Sequence, residues 1–156
     1  MLVAILALGF NAGTFDMQVL AQSTFSDTIL PVRWIFVFLF IGFAVKLPIV
    51  PLHTWLPDAH SDAPTAVSVM LAGVLLKMGG YGIIRTSITM MPEVADDFAP
   101  WIAGIGAASV LYGAFVTFRQ RDVKRLIAYS SVSHMGLVLL GVGALGSAAL
   151  TGATYQ

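Results

Sequence analysis

The sequence predicts an all-α integral membrane protein, a polytopic helix bundle with one helix broken by prolines. Three observations carry this expectation. Of 156 residues, 58% are hydrophobic and 10% are charged, whereas an ordinary soluble domain has roughly 25% charged residues. The apolar residues gather into runs of about 20, the length that crosses a hydrocarbon core of about 30 Å at about 1.5 Å per residue. One of these runs is interrupted by Pro48 and Pro51 directly after Lys46.

Taken in order, Met1 leads straight into an apolar run over residues 2–10, with no basic segment before it and no small-residue cleavage site after it. That argues against a secretory signal and for a partial helix over residues 1–11. The chain closes on Thr154, Tyr155 and Gln156 without a polar tail, so both ends are expected to be cut from something longer. Residues 12–30, with Asp16 and Asp27, read as an extramembrane loop.

Residues 31–60 read as a spanning helix broken near Lys46, because two prolines remove backbone donors just beyond it. The stretch HTWLPDAHSDA then leaves the hydrocarbon at an interface marked by Trp55. Asp62 is expected to cap the next helix, over residues 64–86, with Pro64 in or near its first turn. The acidic residues Glu93, Asp96 and Asp97 mark a loop before a helix over residues 99–118. Asp122 is expected to cap a helix over residues 122–146, and residues 150–156 begin another. Four full spans and one partial one result.

Loop charge orients these spans. Arg119, Arg121, Lys124 and Arg125 cluster in one turn, while residues 91–98 hold no basic side chain. Since short cytoplasmic loops retain Lys and Arg, the 119–125 loop is expected on the cytoplasmic side and the 91–98 and 11–28 loops outside. Counting back puts the HTWLPDAHSDA stretch on the cytoplasmic side as well.

Composition also excludes functions. Eight basic and eight acidic side chains cancel, which leaves no basic arm for nucleic acid. With no cysteine there is no thiolate metal site and no thiol nucleophile. Neither a glycine-rich phosphate loop nor a nucleophile–base constellation is present, so no enzyme site of the chain's own is expected. His53, Asp58, His60 and Asp62 are ligand-type residues, but their spacing fits no zinc or facial-triad pattern and they fall at an aqueous boundary. No metal site is assigned to them.

Three residues stand out as candidates for chemistry. Lys46 has long apolar stretches before it and residues 47–52 after it. An ionisable group at such depth costs at least about 2.5 kcal/mol on insertion scales and reads as functional by default; the alternatives are a snorkelling lysine or a static ion pair. The freed carbonyls beside it belong next to a cavity. Lys77 lies thirteen residues past Pro64, about 20 Å along the helix. It shares a face with Gly73, Gly80 and Tyr81, which is expected to turn toward the bundle. A lysine held between protonated and neutral forms can relay protons; a static pair is the alternative. His134, with Ser130, Ser131 and Ser133 nearby, can pass protons through hydroxyls and water, or it can be a satisfied histidine bonding a neighbouring helix.

Two runs are specific enough to be compared with a family. FAVKLPIVPLHTWLPDAHSDAPTAVSVMLAGVLLKMGGYGIIR (43–85) and DVKRLIAYSSVSHMG (122–136) closely resemble the antiporter-like chain M, or chain 4, family of proton-translocating NADH-quinone and plastoquinone oxidoreductases, the respiratory complex I group. The opening MLVAILAL is similar to that family's preceding helix. Sister chains and multisubunit sodium/proton antiporters share the WLPD core, but LPDAH, APT, LAGVLLK and YSSVSHMG together look most like chain M.

The resemblance implies an ion-translocating bundle of inverted repeats, each with a broken helix, joined by a hydrated polar axis. Lys46 matches the family's lysine at the broken helix and Lys77 the connecting lysine of the following one. The partner glutamate would lie before Met1, and this chain would be a middle slice, roughly the sixth to tenth helices. The implied function is proton translocation driven by electron transfer from NADH or ferredoxin to quinone. NADH, FMN, iron–sulfur clusters and quinone are then expected on other subunits, with no cofactor in this chain, and its partners are those membrane subunits, the lipid bilayer and protons. The competing readings are a sodium/proton antiporter subunit, a structural membrane scaffold, and a photoreceptor with Lys77 as Schiff-base lysine.

Overall fold

The computed structural model describes residues 1–22 and 30–156, and among these every regular element is a helix. In chain order they are α1 (Leu2–Ala12), α2 (Met17–Gln22), α3 (Val32–Lys46), α4 (Trp55–Asp62), α5 (Thr65–Ile88), α6 (Pro92–Arg119), α7 (Val123–Gly143) and α8 (Ser147–Tyr155). Three of them, α5, α6 and α7, are long and apolar enough to cross a bilayer.

Local chemistry explains the boundaries. Helix α1 ends at Gly13, whose φ of 66° is the left-handed conformation that glycine adopts without a Cβ clash. Asp16 opens α2 by accepting from the Gln18 backbone N–H at 2.9 Å. A helix therefore stands inside the expected 12–30 loop, while Asp27 lies outside the described residues. Helix α3 stops at Lys46, two residues before Pro48, and the chain is irregular until Trp55. This is the interruption that the prolines require.

Two boundaries differ from expectation. Asp62 is the last residue of α4 and caps nothing; α5 begins after Pro64 with no side-chain cap. The acidic residues read as a loop before residue 99 belong instead to α6, which begins at Pro92. Proline at the first helical position has its φ preset and gives up only an N–H that had no partner, and Glu93 suits the positive end of the dipole. With 28 residues, α6 is about 42 Å long, so its acidic first turns extend past a core of about 30 Å. Asp122 does cap α7, accepting from the Lys124 backbone N–H at 3.0 Å.

Helices α6 and α7 form a hairpin whose backbones touch. A Cβ at Gly106 would stand 2.7 Å from the Leu140 nitrogen, one at Gly113 2.8 Å from that of Ser133, one at Gly136 2.8 Å from that of Val110, and one at Gly143 2.6 Å from that of Ala103. The glycines recur seven residues apart on each helix, the spacing of a left-handed crossing. Helix α5 meets the end of α3 as closely, since a Cβ at Gly79 would lie 2.8 Å from the Leu47 nitrogen. Buried Phe36, Leu39, Leu47, Leu56, Leu76, Ile83 and Leu139 fill the space between these elements.

The two ends of the bundle are polar and distinct. At one, Arg33 donates to Asp97 at 2.7 Å. At the other, Lys124 Nζ donates to the carbonyls of Ser61 (3.3 Å) and Ala63 (3.1 Å), and Arg125 stands 3.6 Å from Asp58. The end of α4 and the basic turn therefore share one edge, and the start of α3 and the acidic start of α6 share the opposite one.

Candidate proton-relay site

The break between α3 and α4 is the first part of the site. Ending α3 at Lys46 frees carbonyls of its last turn, because Pro48 has no N–H and the following residues leave the helix. Trp55 answers one of them, its indole N–H donating to the Val45 carbonyl at 2.9 Å. The Val50 N–H inside the break donates to the Ser109 hydroxyl at 3.0 Å, and that hydroxyl donates on to the Ile105 carbonyl at 2.8 Å. Ser109 is fully buried in α6. Lys46 itself sits at the C-terminal turn of α3, where a helix dipole favours positive charge, and its side chain is exposed.

Two histidines of this stretch lie deeper than the sequence suggests. His53 and His60 are each only 4% exposed, and the ring nitrogens of His53 and Nε2 of His60 have no hydrogen-bond partner among the described residues. The His53 ring stands edge-on to Tyr112 at 4.9 Å and to Tyr129 at 6.2 Å between centroids. Both rings are packed within protein, because the break folds His53 back against Tyr112 of α6 and Tyr129 of α7 and α7 covers α4. Among the described residues no group of three or more His, Asp or Glu side chains converges.

Lys77 lies between two widened turns of α5. At residues 71–75 the Leu76 N–H reaches back to the Leu71 carbonyl, and at residues 83–88 the Thr89 N–H reaches back to that of Ile84, both π-helical bonds. Such turns hold one residue more than an α-turn. The face expected from a 3.6-residue period is therefore interrupted between Gly73 and Lys77. Gly80 is buried against Leu47 and Val138, whereas nothing lies within 4 Å of a Cβ at Gly73 and Tyr81 is exposed.

The structure brings Lys77 and His134 to one place. Lys77 Nζ donates to the Gln156 carbonyl oxygen at 2.8 Å, and the Gln156 side-chain nitrogen stands 2.8 Å from His134 Nδ1. Lys77, His134, Ser131 and Gln156 line an open cleft of about 260 Å³. A second cleft of about 330 Å³ shares Lys77 and Gln156 and extends to Leu47, the first residue of the break. Volumes of this size hold several waters at about 30 Å³ each. Lys46 lines neither cleft. Ser131 donates to the Ile127 carbonyl and Ser133 to that of Val110, so both hydroxyls lean on backbone and neither bonds His134. Sequence reasoning did not single out Gln156, which sits 22 positions from His134 and 79 from Lys77.

The broken helix and the cleft at Lys77 and His134 belong to a chain with counterparts among known proteins. Residues 1–156 match the family described as NADH:quinone oxidoreductase/Mrp antiporter, transmembrane. The chain belongs to this family. It is 47% identical to NADH-quinone oxidoreductase subunit M of Pseudomonas aeruginosa over 163 residues, covering 100% of this chain and 31% of that protein. It is 46% identical to the chloroplastic NAD(P)H-quinone oxidoreductase chain 4 of Physcomitrium patens over 158 residues, covering 99% of this chain and 31% of the relative. Among solved structures it superposes on a chain of respiratory complex I from Thermus thermophilus with a TM-score of 0.85 at 34% identity, covering 99% of this chain and 33% of that one. A chain of the Mrp complex from Dietzia gives the same TM-score at 23% identity, covering 99% and 28%, a likeness of fold alone. The chain thus spans about a third of the length of the relatives it matches.

The resemblance of the 43–85 and 122–136 runs to chain M and chain 4 is borne out by these matches. So is the fold class, an all-α, antiporter-like integral membrane bundle. These relatives are subunits of enzyme complexes.

Proposed function

We propose that this chain is the ion-translocating part of a proton-pumping oxidoreductase subunit, in which Lys77 and His134 pass a proton and Lys46 at the broken helix charges or discharges the path. The observation that carries this reading is the cleft where Lys77 and His134 meet on Gln156. It brings two proton-carrying side chains to one water-sized space. In this reading NADH or ferredoxin oxidation and quinone reduction belong to other subunits, its partners, with their FMN and iron–sulfur clusters. The 119–125 loop faces the cytoplasmic side, on the strength of its four basic residues.

Lys77→Arg and Lys77→Ala test the relay. Arginine keeps the charge but does not deprotonate, while alanine removes both charge and titration. Both variants are expected to assemble and to lose most redox-linked proton uptake in membrane vesicles, normalised to assembled complex. Near-normal pumping by the arginine variant would show that Lys77 is a structural cation. A second reading, a sodium/proton antiporter subunit, is favoured by the Mrp antiporters within the matched family; sodium-dependent transport without quinone reduction would select it.

A further inference from the structure

We infer that the cleft between α3 and α6 is a phospholipid site, with one acyl chain in the cleft and a zwitterionic, amine-bearing headgroup held by the Arg33–Asp97 pair at its mouth. Both helices begin at the same edge of the bundle, where the Arg33 guanidinium donates to Asp97 at 2.7 Å. Below that pair the space between them opens as a cleft of about 280 Å³. Phe36 stacks on Phe98 at 5.4 Å and on Phe40 at 6.3 Å between centroids, and Val37, Ile41 and Ile105 complete the wall.

The charged mouth and the apolar wall belong to the same two helix faces. Positions 33, 37 and 41 recur every four residues on α3, and 97, 101 and 105 on α6, a spacing that keeps side chains on one side of a helix. Each face therefore passes from charge to hydrocarbon over about 12 Å, which is the profile of a lipid seen from its headgroup downward. Trp101 lines the cleft and is mostly exposed, as suits an indole at headgroup depth. Apart from that indole no polar side chain lines the cleft. Ordered water needs several polar partners, so this space favours hydrocarbon, unlike the cleft at Lys77 and His134.

The mouth selects the headgroup. Among the described residues the Arg33–Asp97 pair engages one guanidinium nitrogen and one carboxylate oxygen, and the two side chains remain 70% and 54% exposed. A guanidinium has five N–H donors, so Arg33 can meet a phosphate while it still holds Asp97. Glu93, one turn before Asp97, and Asp96 are exposed at the same end of α6. One cation beside these carboxylates opposes a lipid of net negative charge and suits a phosphate joined to an ammonium, as in phosphatidylethanolamine.

The test uses the whole subunit assembled in its membrane complex and reconstituted into phosphatidylethanolamine vesicles. The probe is a trace of phosphatidylethanolamine with a photoactivatable group in its acyl chain. Labelled positions are mapped by peptide mass spectrometry and normalised to total labelling of the complex. Residues 36–41 and 98–105 should be labelled, and a phosphatidylglycerol probe of the same chain should label them about threefold less. Val37→Trp fills the cleft and should abolish this labelling, while Arg33→Gln removes the phosphate donor and should lower it about threefold. If Val37→Trp does not assemble, Arg33→Gln decides with the two probes. Absence of label in the parent means that protein covers the cleft, and it overturns the proposal. Equal labelling by the two probes, or labelling unchanged in either variant, overturns it as well.

Discussion

The α6–α7 hairpin and the α3–α4 stretch are both apolar chain bounded by charge, yet their backbones are held in opposite ways. In the hairpin the helices run on without a break, losing only the bond that Pro100 cannot donate, and cohesion comes from glycines that let two backbones approach within van der Waals contact. In the α3–α4 stretch the helix is given up over residues 47–54, and the freed polar groups are answered by side chains from elsewhere, Ser109 and Trp55. One of those partners, Ser109, belongs to the hairpin itself. An irregular segment at membrane depth is tolerated where protein satisfies it, and here a regular, tightly sealed neighbour does so. The rigid region is the support on which the functional one is built.

This contrast can be broken first at the seam. Gly136→Ala puts a methyl 2.8 Å from the Val110 nitrogen and 3.0 Å from the Gly106 carbonyl oxygen, atoms of backbone that cannot rotate away. A cost on the order of 1–3 kcal/mol or more is expected, read as a lower melting temperature and a lower yield of assembled complex. Gly104→Ala, where nothing lies within 4 Å, should be neutral or slightly stabilising, through the better helix propensity of alanine. Equal effects at the two positions would remove the seam argument.

A smaller effect is expected where the two regions join. Ser109→Ala leaves the Val50 N–H without its partner inside the bundle, a loss of about 1–3 kcal/mol. Faster amide hydrogen exchange at Val50, with the α6–α7 hairpin itself unchanged, would locate the damage in the break. The smallest effect is expected from Trp55→Phe, which keeps the aromatic volume but deletes the donor to the Val45 carbonyl. About 0.5–1.5 kcal/mol is expected, seen as a modest fall in thermal stability. No change at all would mean that this carbonyl needs no protein donor.

The same contrast explains what was legible in the sequence. The break was legible because Pro48 and Pro51 act locally, each by a missing donor that no tertiary context restores. The Asp122 cap was legible for the same reason, as one side chain serving its own helix. Asp62 looked equally good and caps nothing, because α4 continues through it. The start of α6 at Pro92 was hidden by three acidic residues that resemble a loop when length beyond the bilayer core is not considered. The face of Lys77 was misjudged because a 3.6-residue period cannot reveal a π-turn at residues 71–75. Ser109 and Gln156 carried no signal, since one serine or glutamine in an apolar helix acquires meaning only from a partner far away in sequence. The glycines at seven-residue spacing were visible, but the backbone atoms they face were not.

Lys124 gives the bundle a mechanical property. Its ammonium holds the carbonyls of Ser61 and Ala63 at the end of α4, while Ser109 holds the Val50 N–H at the opposite end of that segment. Two separated attachment points on one hairpin oppose both sliding and swivelling of α4 against α6 and α7. Helix α3 joins them through residues 47–54 and the Trp55–Val45 bond. The middle of α5 packs on the end of α3 at Gly79, so Lys46 and Lys77 lie on two helices that meet each other outside those attachment points.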